Sequence, residues 1–223
     1  MKIHLLLAGV AIATVGAAGI ASAAVTVADA SFENPSVPGG YEYGVQVGAQ
    51  NSSNGIDAAA TGVVFGAGSG VQANGSAWGF ASAPSGVQTA FLQSYDNYTP
   101  GQIAQDVSGL VAGKSYDVSF YIADRPGFGV NPVTVSFGGV ALGTFTPAST
   151  SFSEVTSGSF VATASTGVIT FSTGLNGGDA DIGLDNVSIS AVPEPATWAM
   201  MLVGFGGMGV AMRSRRKQAV AAI

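Results

Sequence analysis

Cysteine is absent from this 223-residue chain, and histidine occurs once, as His4. The lack of thiols excludes disulfides, redox dithiols and cysteine-based zinc sites. His4 lies in a segment that we expect to be removed, so the mature chain also lacks the base of Ser-His-Asp and Cys-His catalysis. Acid–base chemistry in the mature chain would therefore depend on carboxyl groups.

Charge is also scarce, because only 9% of the residues are charged, against about 25% in an ordinary globular domain. Residues 24–192 contain two basic residues, Lys114 and Arg125, and twelve acidic ones, which gives a net charge of −10. This charge argues against nucleic acid, anionic lipid surfaces and strongly anionic glycans as partners. Neutral polysaccharides and divalent cations are better matched to it.

The first 23 residues have the pattern of a secretory signal peptide. Lys2 precedes an apolar run over residues 5–20, and Ala21 and Ala23 form a small-x-small exit around Ser22. This pattern predicts cleavage by signal peptidase after Ala23. The alternative is an uncleaved anchor helix, which the Ala-Ser-Ala exit disfavours.

Residues 193–217 have the organisation of a membrane-inserted tail, followed by a short end at 218–223. Residues 196–212 are uncharged and, as a helix of about 25 Å, would just cross a thin bilayer. The basic cluster at 213–217 should stay cytoplasmic by the positive-inside rule. The alternative is a buried C-terminal helix, which the basic cluster disfavours.

The residues at the start of this tail read Pro-Glu-Pro-Ala-Thr-Trp-Ala over 193–199. They resemble the PEP-CTERM sorting signal of Gram-negative bacteria, in its Pro-Glu-Pro-x-x-Trp-Ala variant. The residues that carry the resemblance are Pro193, Glu194, Pro195, Trp198 and Ala199. It implies export, transient anchoring in the inner membrane, removal of the tail by exosortase, and a final location at the cell surface or outside the cell.

The central residues 24–192 are dominated by an alternation of apolar and polar side chains, which is typical of strands. Gly138-Gly139 lies between two such runs and predicts a hairpin. We expect long loops over 39–86, which is rich in Gly, Ser, Asn and Ala, and no helix in the whole segment. The fold class predicted is all-β, an antiparallel β-sandwich or jelly roll, with strands at 88–93, 103–107, 116–122, 133–137, 140–145, 159–163, 168–172 and 182–189.

Residues 102–121 combine a strand, a Gly-Leu-x-x-Gly turn and a Tyr-x-Val-x-Phe run. Together with Ser-Phe-Glu-Asn at 31–34 and residues 184–189, this segment resembles galactose-binding-like jelly rolls, which include carbohydrate-binding modules. The resemblance implies a structural calcium ion held by Glu33 and Asp185. Asp29, Asp179 and Asp181 are further oxygen donors. The alternative is that these acids cap turns or are solvated.

Sugar recognition requires an aromatic face beside polar groups. The candidate binding residues are Trp78, Tyr95, Tyr98, Arg125 and Phe128, with Tyr41 and Tyr43 as additional aromatics. Arg125 is the only guanidinium of the central domain and follows a predicted strand, where loops often carry function. The alternatives are an internal ion pair of Arg125 with Asp124 or another acid, and a Trp78 side chain that fills the core.

These patterns favour a non-catalytic protein that binds extracellular polysaccharide, associated with exopolysaccharide or biofilm. The alternative is a structural or adhesive surface protein without a sugar site. A glycoside hydrolase is a third hypothesis, since carboxyl pairs such as Asp124 with Asp96, Asp106 or Glu154 can be named. No spacing singles out a catalytic pair.

Overall fold

The structure is a computed structural model that describes residues 24–44, 62–66, 68–94, 99–176, 179–193 and 200–208. Residues 200–208 are helical, and the other regular elements are strands. The strands are β1 (Thr26–Val27), β2 (Tyr41–Tyr43), β3 (Val63–Phe65), β4 (Ser69–Ala73), β5 (Gln88–Leu92), β6 (Gln102–Ser108), β7 (Ser115–Asp124), β8 (Val133–Phe137), β9 (Val140–Phe145), β10 (Ser153–Thr156), β11 (Phe160–Val161), β12 (Thr166–Thr173) and β13 (Ile182–Ala191).

The strands form two sheets. The six-stranded sheet has the order β1-β6-β12-β8-β9, with β3 also paired to β6, and the seven-stranded sheet has the order β10-β7-β13-β5-β4-β2, with β11 paired to β7. Every described strand pair is antiparallel. The predicted all-β antiparallel architecture is therefore confirmed.

The main hydrophobic core lies between the two sheets, and we call it the sandwich core. Alternation in β7 turns Val118, Phe120 and Ile122 inward, where they are buried. Phe120 packs edge-on against Phe171 of the opposite sheet, with ring centroids 5.1 Å apart. The apolar residues of a period-two pattern thus meet across the sandwich, as such patterns require.

Eight predicted strands correspond to observed ones, and the hairpin at Gly138-Gly139 joins β8 to β9. Both turn glycines have positive φ values, 56° and 83°, which a two-residue hairpin turn favours. The prediction of long loops over 39–86 was too simple, because β2, β3 and β4 lie there. β4 escaped notice because it is buried on both faces, so its sequence does not alternate.

The predictions for the two ends of the chain lie mostly outside the described residues. This applies to the signal peptide with Ala21 and Ala23, and to Glu194, Pro195, Trp198 and Ala199 of the tail. Pro193 is described and is exposed after β13. Among the described residues, no helix is long and apolar enough to cross a membrane. The helix at 200–208 covers only part of the predicted span, which stays a prediction.

Candidate functional site

The face of the seven-stranded sheet that points away from the sandwich core carries a row of small residues. Strand register aligns Ala123 of β7, Gly183 of β13, Phe91 of β5, Gly70 of β4 and Tyr43 of β2. We call this the outer face. Three members of the row lack a large side chain, and at Gly183 this lets two aromatic rings approach the sheet closely.

The loop over residues 74–87, between β4 and β5, folds across the outer face, and we call it the Trp78 loop. Trp78 stacks on Phe91 with ring centroids 4.7 Å apart. Phe80 lies near Phe152, and an added Cβ at Gly183 would approach both of their rings. Trp78, Phe80, Phe91 and Ala123 form a second buried cluster, separate from the sandwich core, which we call the outer cluster.

Arg125 follows β7 directly and lies on top of the outer cluster. Its guanidinium carbon is 4.0 Å from the ring centroid of Trp78 and 4.0 Å from that of Phe128. The guanidinium therefore lies against two aromatic rings, an arrangement that combines cation–π attraction with apolar packing. Arg125, Trp78 and Phe128, three of the candidate binding residues, are brought together.

The charge of Arg125 is balanced by two acids before β13. Its Nη1 donates to Asp181 Oδ2 at 2.7 Å and lies 3.9 Å from Asp179 Oδ2. The expectation of an ion pair is correct, but the acids differ from Asp124, which the sequence suggested first. Burial raises the pKa of Asp181 to about 7, because it outweighs the opposing effect of Arg125.

A hydrogen-bond chain connects this ion pair to the far edge of the sheet. The Tyr43 hydroxyl donates to Gln93 Oε1 at 2.8 Å, and Gln93 Nε2 donates to Asp179 Oδ1 at 2.8 Å. Burial, together with the nearby Asp181 carboxyl, raises the pKa of the Tyr43 phenol well above its usual value. The phenol is therefore a fixed donor at neutral pH. Gln93 gave no sequence signal beyond its place at the end of a strand.

Several buried polar atoms at this site lack a hydrogen-bond partner in the described part of the chain. They include two donors, Trp78 Nε1 and Arg125 Nε, and one acceptor, Asp181 Oδ1. Asp124 Oδ1 and Asn131 Oδ1, near the two ends of the loop after β7, are also unpaired. Unpaired buried polar groups are costly, so their concentration here marks a place where a polar ligand or water would be stabilising.

The rim of the site is apolar and accessible. Tyr41 is 49% exposed and contacts Trp78 edge-on, with ring centroids 5.3 Å apart, and Phe128 is 41% exposed. Trp78 itself is only 7% exposed, so it is a buried support rather than an open platform. Tyr95 and Tyr98 lie outside the described residues.

The other nominated acids do not join this site. Asp106 is exposed on β6 of the opposite sheet, and Glu154 is exposed on β10. Asp96 lies outside the described residues. A groove of about 540 Å³ runs along β1, β6 and β12 with Asp106 as its only charged lining residue, and none of the candidate binding residues lines it.

The predicted calcium residues Glu33 and Asp185 lie close together, next to Asp29. The carboxyl oxygens of these three acids accept hydrogen bonds from six backbone N–H groups, two at each acid. No group of three or more acidic or histidine side chains in the described residues is arranged to hold a metal ion. As placed, the acids face N–H donors rather than the additional oxygens that calcium requires. We therefore assign no role to a metal, and calcium at Glu33 and Asp185 stays a prediction.

The tail begins where the last strand ends, at Ala191, and is followed by the exposed Pro193. Residues 191–217 match the family model of the PEP-CTERM protein-sorting motif. This match confirms the resemblance seen in the sequence. The PEP-CTERM motif thus begins at the end of the last strand of the β-sandwich.

The sandwich that precedes the PEP-CTERM motif is similar in fold to several solved structures. A Stig cyclase, Fisc, from Fischerella sp. TAU has 17% identity and a TM-score of 0.51, with 76% of this chain and 98% of that chain covered. The CBM22-1 xylan-binding domain from Paenibacillus barcinonensis Xyn10C has 12% identity, a TM-score of 0.43, and coverages of 60% and 88%. A CBM36 module in complex with calcium and xylotriose has 18% identity, a TM-score of 0.38, and coverages of 54% and 93%. No curated protein matched the sequence.

Proposed function

We propose that this chain is an exported bacterial surface protein, processed by exosortase, whose β-sandwich binds a neutral extracellular polysaccharide without catalysis. The PEP-CTERM motif supports the sorting part of the proposal. The binding part depends on the site around Arg125, and the galactose-binding-like classification of the fold is a further prediction. An association with exopolysaccharide or biofilm belongs to the same proposal.

One observation carries the binding proposal: the unpaired donors and acceptor beneath an exposed aromatic rim. A sugar hydroxyl both donates and accepts a hydrogen bond, so a hydroxyl pair that displaced the rim and reached the buried Arg125 Nε and Asp181 Oδ1 would satisfy both. The apolar C–H face of a sugar ring would pack on Tyr41 or Phe128. Asp179, which is 53% exposed, would disfavour an anionic sugar.

A second candidate is a structural or adhesive surface protein without a sugar site. It is favoured by the low exposure of Trp78 and of the Arg125 side chain, 7% and 11%. In this interpretation the Arg125–Asp181 pair pins the Trp78 loop to the sheet and has no ligand. The two candidates differ in whether Phe128 has a role beyond stability.

The test is binding of the full chain, purified in mild detergent, to a panel of polysaccharides that includes the exopolysaccharide of the host. Phe128→Ala removes an exposed ring and should weaken binding at least tenfold while the fold is retained. Val140→Ala, on the edge strand β9 and also exposed, is the matched control. Saturable binding that Phe128→Ala weakens and Val140→Ala leaves unchanged supports the proposal. A folded chain that binds no polysaccharide of the panel favours the structural alternative. Release of reducing ends would instead indicate the hydrolase.

A further inference from the structure

We propose that Glu33 and Asp185 are positioning residues for the Arg125 site, because their carboxylates hold the Trp78 loop against the outer face. The inference rests on the proposed function where ligand affinity is concerned. Its structural part concerns the loop alone. It gives these acids a role other than metal binding.

The two acids bind the last residues of the Trp78 loop through its backbone. Asp185 Oδ2 accepts a hydrogen bond from Ser85 N at 2.8 Å. Glu33 Oε1 accepts hydrogen bonds from Val87 N at 2.9 Å and Gln88 N at 3.1 Å. Gly86, between these contacts, has φ of 72°, and a methyl group there would overlap the Glu33 carboxylate. The loop can thus approach the acids only through a residue without a side chain.

The acids are themselves fixed to different parts of the fold. Asp185 is fully buried in β13, and its second oxygen accepts a hydrogen bond from Asn186 N at 2.7 Å. Glu33 lies in the N-terminal segment, where its own N–H donates to Asp29 Oδ1 at 3.0 Å. The Gln88 side chain donates to the carbonyls of Phe32 and Pro35 at 2.6 and 2.8 Å. The N-terminal segment, the last strand and the Trp78 loop therefore meet at these carboxylates.

The Trp78 loop contains no charged residue of its own. Its other described hydrogen bonds are with neutral groups, such as Asn74 N to Val87 O at 2.9 Å, Ala83 N to Asn74 Oδ1 at 2.8 Å and Ser76 Oγ to Gln72 Oε1. The Arg125 guanidinium contacts the loop through the ring of Trp78 rather than through a hydrogen bond. Hydrogen bonds to a carboxylate are stronger than those between neutral groups. The contacts with Glu33 and Asp185 are consequently the ones expected to decide whether the loop stays closed over the sheet.

The two acids should respond differently to replacement of the carboxylate by an amide. Asp185 uses one oxygen for each of two N–H groups, so Asp185→Asn leaves one N–H facing an amide NH₂ group in either rotamer. Glu33 uses a single oxygen, so Glu33→Gln preserves its contacts and Glu33→Ala removes them. A positioning role predicts that Glu33→Ala loosens the loop and that Glu33→Gln restores it.

The test uses the full chain with Trp198→Phe, which leaves Trp78 as the only indole. At pH 8, acrylamide quenching of Trp78 should increase at least twofold in Asp185→Asn and Glu33→Ala, with a red shift of its emission. Glu33→Gln should behave like the parent. Asp106→Asn and Glu154→Gln, both exposed, are the matched controls and should change nothing. Unchanged quenching in folded Glu33→Ala protein would overturn the proposal, even if Asp185→Asn fails to fold.

Repeating the quenching measurement with calcium and with chelator distinguishes this positioning role from metal binding. The proposal expects the same quenching of Trp78 with calcium and with chelator. Protection of Trp78 that appears only with calcium would overturn the proposal and support a metal at these acids. The quenching measurement contains no polysaccharide. If the chain binds no polysaccharide, the quenching result still tests the role of Glu33 and Asp185, so failure of the proposed function and failure of this inference are distinguishable.

Discussion

The sandwich core and the outer cluster are both buried and both rich in aromatic rings, but they are built differently. The sandwich core joins alternating residues of two sheets and consists of apolar side chains. The outer cluster joins one sheet to a loop, and its rings lie beside an ion pair and unpaired polar atoms. The sandwich core is dominated by apolar packing, with Gln105 Oε1 of β6 as an unpaired polar atom, whereas several unpaired polar atoms lie beside the outer cluster. Such a combination is typical of a ligand site.

The largest effect should come from breaking the sandwich core. Phe171 is fully buried and packs on Phe120, so Phe171→Ala should lower the free energy of unfolding by about 3–5 kcal/mol. Denaturant unfolding of the purified chain measures this change. If Phe171→Ala lowered the free energy of unfolding by less than substitutions in the outer cluster do, the sandwich core would not be the main source of stability.

A smaller effect should come from disturbing the outer cluster where it contacts the sheet. A Cβ at Gly183 would lie 2.8 Å from a Phe152 ring carbon and 3.0 Å from one of Phe80. Gly183→Ala should therefore destabilise the chain by about 1–3 kcal/mol, as overpacking does. Gly129→Ala has open space around it and is the control, with a change within about 0.5 kcal/mol. Equal effects of the two substitutions would argue against close packing at Gly183.

Stability should also depend on pH through Asp181 in the outer region. Burial raises its pKa to about 7 in the folded chain, from an ordinary value of 3.8. Between these values the folded state keeps a proton that the unfolded state has released. Stability should thus fall progressively as pH rises from about 4 to 7. Denaturation midpoints at pH 4.5, 6 and 7.5 test this slope, which Asp181→Asn should reduce but not abolish, because burial also raises the pKa of Asp185 to about 7. A slope unchanged in that variant would assign the effect to other acids, such as Asp185.

The smallest effect on the free energy of unfolding should come from substitution of an exposed aromatic residue at the rim of the site. Phe128 is exposed, and Phe128→Ala should change the free energy of unfolding by no more than about 0.5–1 kcal/mol. The same chain should show the tenfold loss of polysaccharide binding described above. A large loss of stability would show that Phe128 closes the outer cluster rather than serving a ligand.

The fold was largely predictable because the sandwich core depends on local alternation. In β7 and β8, alternate side chains point into the core and the others point to solvent or a loop. The period-two alternation of apolar and polar residues therefore predicted both strands. β4 and β5 are buried on both faces. β5 was still predicted, whereas β4, which carries a glycine on the outer face, was not.

The site was predictable only in part. Arg125 and the aromatics were nominated from residue type, since a lone guanidinium and a lone central tryptophan are conspicuous. Asp181 and Gln93 were not assigned to the site because their contacts depend on register between strands far apart in sequence. The packing of Phe80 and Phe152 over Gly183 requires the three-dimensional row and cannot be inferred from composition.

The position of the last strand has a consequence for presentation at a surface. Val192 N donates to Ser115 O at 2.8 Å, at the start of β7, whereas Arg125 follows the other end of that strand. Ten residues of strand span about 33 Å. Ala24 also lies at the Val192 end, where it touches Gly109. A molecule held at its Val192 end would therefore carry the Arg125 site at its far end, about one domain length from the point of attachment.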